Sequence, residues 1–176
     1  CVYLSNHQSN FDIFIFGPLY PWRTALIGKK ELLRIPLFGF FYYGSGNILI
    51  DRKNRKHSLA GLESAREAIE KRGVSVWIFP EGTRNRGAAH MLPFKKGAFH
   101  LAIAAQVPIV PIVQQHVLSY FDLWRLRFRT GPVTVRVLDP IPTIGMRMAD
   151  VPKLMADVRA KMDAALAQPE MKSPKT

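Results

Sequence analysis

A histidine and an aspartate stand five positions apart in the stretch NHQSNFD (residues 6–12), between the apolar runs CVYLS and IFIF. Within one helix, at roughly 100° per residue, their side chains would diverge by about 140°. They meet only if His7 precedes a helix whose first turn holds Asp12. Ser9 is a suitable N-cap for such a helix. A carboxylate on one ring nitrogen of a histidine fixes its tautomer and leaves the other nitrogen to take a proton from a hydroxyl group. The same spacing fits a second reading, in which Asp12 only completes a capping box and His7 bonds nearby backbone. Ser9 is claimed as a cap and no GxSxG elbow occurs, so a histidine base here would activate an acceptor alcohol directly, without a covalent acyl-enzyme.

Two further polar stretches follow apolar runs. In GNILIDRKNRK, Arg52 comes directly after a strand-like segment, where its guanidinium can hold a phosphate bidentately. Lys53, Arg55 and Lys56 read as a solvated face, and Asp51 as a partner for one of the arginines. In FPEGTR (79–84), Glu81 needs a partner, because a carboxylate in a crowded strand-end loop is costly unless paired. Arg84 is either that partner or a phosphate ligand. Gly82 permits the tight turn between them, and Thr83 holds loop backbone or donates to a carbonyl oxygen. Lys95 and Lys96, at the start of a helix, form a weaker anion site. The histidines at 7, 57, 90, 100 and 116 show no metal-ligand spacing, and no metal is expected.

These residues need a scaffold that brings strand ends together. CVYLS, TALIG, NILID (47–51), VSVWIF (74–79), VPIVPIV (107–113) and 133–138 read as strands. Helices are expected after SNFD, over KKELLR, over 57–72 with Leu59, Leu62, Ala65, Ala68 and Ile69 facing inward, from near Lys95, and over 150–167 with Leu154, Val158, Met162 and Leu166 on one stripe. The two prolines of VPIVPIV place that strand at a sheet edge or make it irregular along one side. Strands alternating with helices predict an α/β fold, a mostly parallel or mixed central sheet flanked by helices in an αβα sandwich. The three polar stretches then converge on one edge of the sheet. A single domain over 1–168 and a frayed polar tail over 169–176 are expected, with an upstream piece preceding Cys1.

Lys and Arg number 25 against 13 Asp and Glu, and the resulting charge of +12 asks for an anionic partner. Phe14 to Trp22 and Ile35 to Tyr43 carry more large apolar side chains than a small core hides, which suggests an interfacial surface. No run reaches the roughly 18 apolar residues of a spanning helix.

NHQSNFD, GNILIDR, FPEGTR and VPIVPI, in this order and at comparable separations, resemble the four sequence blocks of the glycerolipid acyltransferase family, over about Val2 to Pro142. The resemblance implies transfer of a fatty acyl group to the sn-2 hydroxyl of 1-acyl-sn-glycerol 3-phosphate, giving phosphatidic acid. The co-substrate is acyl-CoA or acyl carrier protein, with no other cofactor. Glycerol 3-phosphate or another lysophospholipid is the alternative acceptor, and a non-catalytic membrane-binding module is the remoter reading. His7 would be the base, Asp12 its orienting carboxylate and Arg52 a ligand of the acceptor phosphate. Glu81, Gly82, Thr83 and Arg84 would form the glycerol-phosphate site, and Val107, Pro108, Ile109, Val110 and Pro111 would line an acyl or acceptor pocket. The partner surface would be an anionic membrane, with the active site at its cytoplasmic face, rather than nucleic acid: no nucleic-acid reader motif accompanies the basic stretch YFDLWRLRFR.

Overall fold

The computed structural model describes residues 1–9, 12–51, 54–85, 90–115, 121–122, 127–128, 131 and 133–168; the predicted tail over 169–176 lies outside them. Six strands form one sheet in the order β3-β2-β4-β1-β5-β8. They are β1 (Val2–Ser5), β2 (Thr24–Lys29), β3 (Ile48–Ile50), β4 (Ser75–Ile78), β5 (Ile109–Gln114) and β8 (Val135–Val137). β1 to β5 pair in parallel and β8 runs antiparallel to β5, so the sheet is mixed. β6 (Phe121–Asp122) and β7 (Arg127–Phe128) form a separate two-stranded ribbon. The helices are α1 (Asp12–Phe16), α2 (Phe38–Gly44), α3 (Arg55–Arg72), α4 (Gly97–Ala104) and α5 (Val151–Ala167).

Strand alternation divides the side chains between two layers. Val2, Leu4, Val76, Ile78, Ile109 and Val113 face one way, onto Ala65, Ala68 and Ile69 of α3, Phe99 and Ala102 of α4, and Leu154, Val158 and Met162 of α5. The predicted stripe of α5 is thus its buried face. The other side carries Leu26, Trp77 and Ile112, covered by Phe16 and Tyr42. This three-layer arrangement is the predicted αβα sandwich.

Two expectations are corrected. Leu59 of α3 is 58% exposed. Gly61 lets α3 approach β3 closely, since a Cβ there would stand 2.7 Å from the Ile50 side chain. The buried face follows from Gly61 through Ala65, Ala68 and Ile69, and Leu59 falls off its flank. The strand bearing Pro108 and Pro111 is not an edge: β5 lies between β1 and β8. It is irregular on its β8 side, as the second half of that expectation holds. Ile109 exchanges both main-chain hydrogen bonds with Ile141, and the Pro111 carbonyl accepts from Leu138 N–H at 2.9 Å. Asp139 and Pro140 lie between those contacts, where the ladder lapses and the N–H that Pro111 lacks is not required.

On the second face the covering pieces are short and pinned to strands by polar bonds. The Tyr42 hydroxyl donates to Leu26 O at 3.0 Å, and Asn47 accepts from Leu26 N–H at 2.8 Å while donating to Tyr42 O at 3.0 Å. Trp77 is enclosed by Tyr3, Phe16 and Tyr20, and its indole N–H donates to Ser5 Oγ at 2.7 Å. An indole fully buried with its one donor satisfied is a stable core element.

Candidate active site

β1 ends at Ser5 and the chain leaves the sheet at its C-terminal edge. Asn6 extends the pairing with β5 by side chain, donating to Gln114 O and accepting from Gln114 N–H, both at 2.9 Å. His7 follows. Its N–H donates to Glu81 Oε1 at 2.8 Å and its carbonyl accepts from Asn85 N–H at 2.7 Å. Glu81 of FPEGTR and Asn85 just after it therefore hold the main chain of the histidine on both sides.

The His7 ring stacks on Phe79 with centroids 4.1 Å apart, and its Nδ1 lies 2.6 Å from Asp12 Oδ2. Asp12 is fully buried, and its carboxylate also accepts the N–H groups of Gln8 at 2.8 Å and Ser9 at 3.1 Å. The two readings of Asp12 are thus not exclusive. The carboxylate closes the helix start and, with the same oxygens, orients the imidazole. Such charge-assisted bonds are short and directional, and with Nδ1–H donated to Asp12 the other ring nitrogen is left as the acceptor.

His7 lines a cavity of about 460 Å³. Its polar lining is Lys29, Gly82, Thr83 and Arg84; its apolar lining is Leu26, Ile27, Gly28, Leu32, Ile35, Phe38, Tyr42 and Phe79. That is the usual make-up of a small-molecule site, apolar walls with a few convergent polar groups. Gly28 sets the wall on one side, because a Cβ there would stand 2.5 Å from the Tyr42 hydroxyl oxygen and 2.9 Å from Leu32 Cδ1. Gly82 takes φ +69°, the left-handed conformation its turn requires, with the Lys95 stem packed against it.

The predicted site residues divide. His7, Asp12, Gly82, Thr83 and Arg84 come together. Arg52 lies outside the described residues. Glu81 is 2% exposed, and its oxygens are met by the N–H groups of His7 and Leu92, each at 2.8 Å, instead of by Arg84. Burial pushes its carboxyl up from the ordinary value, against the opposing pull of those two N–H bonds. Its geometry is that of a brace between two loop segments. Val107, Pro108, Ile109, Val110 and Pro111 do not line this cavity. Parallel register pairs Val2 with Ile109 and Ser5 with Ile112, so 107–109 stand at the N-terminal edge of the sheet, away from His7.

Lys29, Asn85 and the apolar lining were not singled out from the sequence. Lys29 had the same signal as Arg52, a cation directly after a strand.

Residues 1–115 match the protein-family model described as Acyltransferase. The chain is 41% identical over 167 residues, 95% of this chain and 67% of the relative, to the 1-acyl-sn-glycerol-3-phosphate acyltransferase of Salmonella typhimurium. It is 43% identical over 161 residues, 92% of this chain and 56% of the relative, to the human 1-acyl-sn-glycerol-3-phosphate acyltransferase alpha. Among solved structures it resembles the 1-acyl-sn-glycerophosphate (LPA) acyltransferase PlsC of Thermotoga maritima, with a TM-score of 0.75 and 26% identity, covering 97% of this chain and 68% of that one.

Proposed function

Given that the chain belongs to the acyltransferase family, we propose that it transfers a fatty acyl group from acyl-CoA or acyl carrier protein to the sn-2 hydroxyl of 1-acyl-sn-glycerol 3-phosphate, forming phosphatidic acid. One observation carries the reading: an imidazole held at 2.6 Å by a buried carboxylate borders a largely apolar cavity that also presents Lys29 and Arg84. The apolar walls suit a hydrocarbon chain, and the two cations suit the acceptor phosphate. Arg52 joins them on the strength of its sequence block.

In this mechanism the free ring nitrogen of His7 takes the proton of the sn-2 hydroxyl as its oxygen attacks the thioester carbonyl. The tetrahedral intermediate collapses, the C–S bond breaks with its electron pair going to sulfur, and the departing thiolate takes the proton from the imidazolium to give the free thiol and neutral His7. Asp12 stabilises the imidazolium and keeps the ring aimed. A thiol of pKa about 8.5 is a good leaving group and needs little acid assistance. Glu81 holds the main chain of His7.

The acceptor resides in a bilayer, and the proposed docking surface is the segment that also walls the cavity. Leu37 and Phe40 are 87% and 85% exposed, joined by Phe41 and Tyr43, with Lys30 and Arg34 of the preceding turn exposed as well. Such a mixture suits an anionic lipid surface, here assigned to the cytoplasmic face. No helix among the described residues is long and apolar enough to cross a membrane.

The test is acyl transfer to 1-acyl-sn-glycerol 3-phosphate in detergent, repeated with glycerol 3-phosphate. Transfer to the former is expected, and His7→Ala is expected to lower it by about 10³-fold with unchanged circular dichroism. Near wild-type turnover by that variant overturns the mechanism. Preference for glycerol 3-phosphate reassigns the acceptor.

A further inference from the structure

We infer that Arg159, on the C-terminal helix α5, is a positioning residue for His7. The link is a chain of hydrogen bonds through groups that are otherwise hard to explain. Arg159 Nη1 donates to Leu92 O at 2.8 Å, and Nη2 donates to Met91 O. The N–H of the same Leu92 donates to Glu81 Oε2, and Glu81 Oε1 accepts from His7 N–H, both at 2.8 Å. Leu92 is therefore held at its carbonyl by α5 and at its N–H by the loop that fixes His7.

The arrangement closes in more than one place. Asn85 N–H donates to the His7 carbonyl, while the Asn85 side chain donates to His90 O at 2.8 Å. Residues 81 and 85 are thereby tied to 92 and 90, and the same two residues hold the N–H and the carbonyl of His7. The guanidinium is itself fixed, with Nε on Asp163 at 2.9 Å and its plane over the Phe94 ring at 5.1 Å. A surface arginine with only an i,i+4 carboxylate partner would be worth a few tenths of a kcal/mol and would position nothing. Arg159 differs because two of its nitrogens reach main-chain carbonyls of another segment. Its charge also acts on the Glu81 carboxylate, against the burial that disfavours ionisation there.

The link matters because the imidazole must meet both Asp12 and a hydroxyl oxygen. Misplacing a catalytic group by about 1 Å can cost on the order of 10²-fold in rate. α5 also lies beyond residues 1–115, the part matched by the family model. The inference thus assigns a role in aiming the base to an element outside that part.

The kinetic half of this inference rests on acyl transfer as the activity; the spectroscopic half does not. Arg159→Met keeps an unbranched apolar stem and removes charge and donors, and Arg159→Lys restores charge and one donor. Met155→Ala, a truncation of a partly buried side chain on the same helix, is the control for destabilisation alone. The readouts are kcat and KM for acyl transfer, and the low-field proton resonance of the His7 Nδ1–H bonded to Asp12. Arg159→Met is expected to lower kcat about tenfold with KM within about twofold, and to shift or broaden that resonance. Arg159→Lys should recover most of the loss, and Met155→Ala should leave kcat and the resonance in place. An unmoved resonance, an unchanged kcat, or equal effects from Met155→Ala overturn the inference. If the wild-type chain transfers no acyl group while the resonance still responds to Arg159→Met, the proposed function falls and the link to His7 stands.

Discussion

Three helices close one face of the sheet, and the hydrocarbon side chains they turn inward are almost entirely enclosed. The opposite face is covered by α1 and α2, of five and seven residues, and by two 3₁₀ turns over Gly17–Leu19 and Lys30–Arg34. Those pieces leave a cavity of about 460 Å³ beneath them and a rim of exposed aromatic side chains. Both faces hang on the same strands, often on adjacent residues: Val76 and Ile78 look into the first layer, Trp77 into the second. A continuous helical cover maximises buried apolar area, whereas a cover of short pieces leaves room for a substrate chain and a surface that can meet lipid. The cover is thus thick on one side of the sheet and thin on the other, and the cavity under the thin side is one that His7 lines.

The sharpest test of that division is a large-to-small change on the closed face. Phe99→Ala, at a fully buried residue of α4, should lower unfolding free energy by about 3–5 kcal/mol. Phe41→Ala, on the exposed face of α2, should change it by less than about 0.5 kcal/mol. Urea denaturation of the two variants measures both. Similar values for the two would mean that the short cover contributes as much to stability as the helical one. On vesicles the order should reverse, with Phe41→Ala weakening association with anionic lipid and Phe99→Ala, below its unfolding transition, leaving it unchanged.

A smaller effect is expected within the open face. Gly28→Val places side-chain atoms against Tyr42 and Leu32, which already lie within 2.9 Å of where a Cβ would stand. Overpacking of this kind costs about 1–3 kcal/mol. More tellingly, it should slow transfer of a long acyl chain about tenfold relative to a short one. A uniform loss for all chain lengths would show that the cavity beside His7 does not hold the acyl group.

Much of this contrast was legible in the sequence, for reasons that differ by residue. The five-residue spacing of His7 and Asp12 constrains geometry by itself, because only a helix start between them lets the side chains meet. The near-continuous apolar run VSVWIF is of the kind buried on both faces of a sheet, and the fold class followed from the alternation of strands with helices. Register is a different matter. Nothing local in VPIVPIV tells which end of a parallel strand lies near another loop, and it is the pairing of Val2 with Ile109 that sets 107–109 at the edge away from His7. Glu81 and Arg84 share one short motif, yet only tertiary contact shows the carboxylate facing main-chain N–H groups of His7 and Leu92. Gly28, Leu32, Phe38 and Tyr42 have the composition of core, and a cavity is a property of what does not fill the space between them. Arg159 looks like any cation four residues before an aspartate on a terminal helix.

Glu81 stands at the seam of the two faces and gives the smallest predicted effect, one of sign. Its folded-state pKa is raised above the ordinary value of 4.5, first by burial, with the His7 and Leu92 N–H bonds opposing. The folded chain therefore holds this proton more tightly than the unfolded chain does. Its contribution to stability is fully present below the unfolded value and is lost as pH rises through the folded one. Each unit between the two values is worth about 1.4 kcal/mol. Glu81→Gln removes the titration but presents an amide N–H₂ to one of two backbone donors, so it should be less stable than wild type at every pH. The gap between the two proteins should be widest near pH 4 and narrow toward neutrality. Urea denaturation at half-unit steps from pH 4 to 7 follows that gap. A gap that widens with pH would mean that the two N–H bonds outweigh burial, making the ionised carboxylate the form that steadies His7.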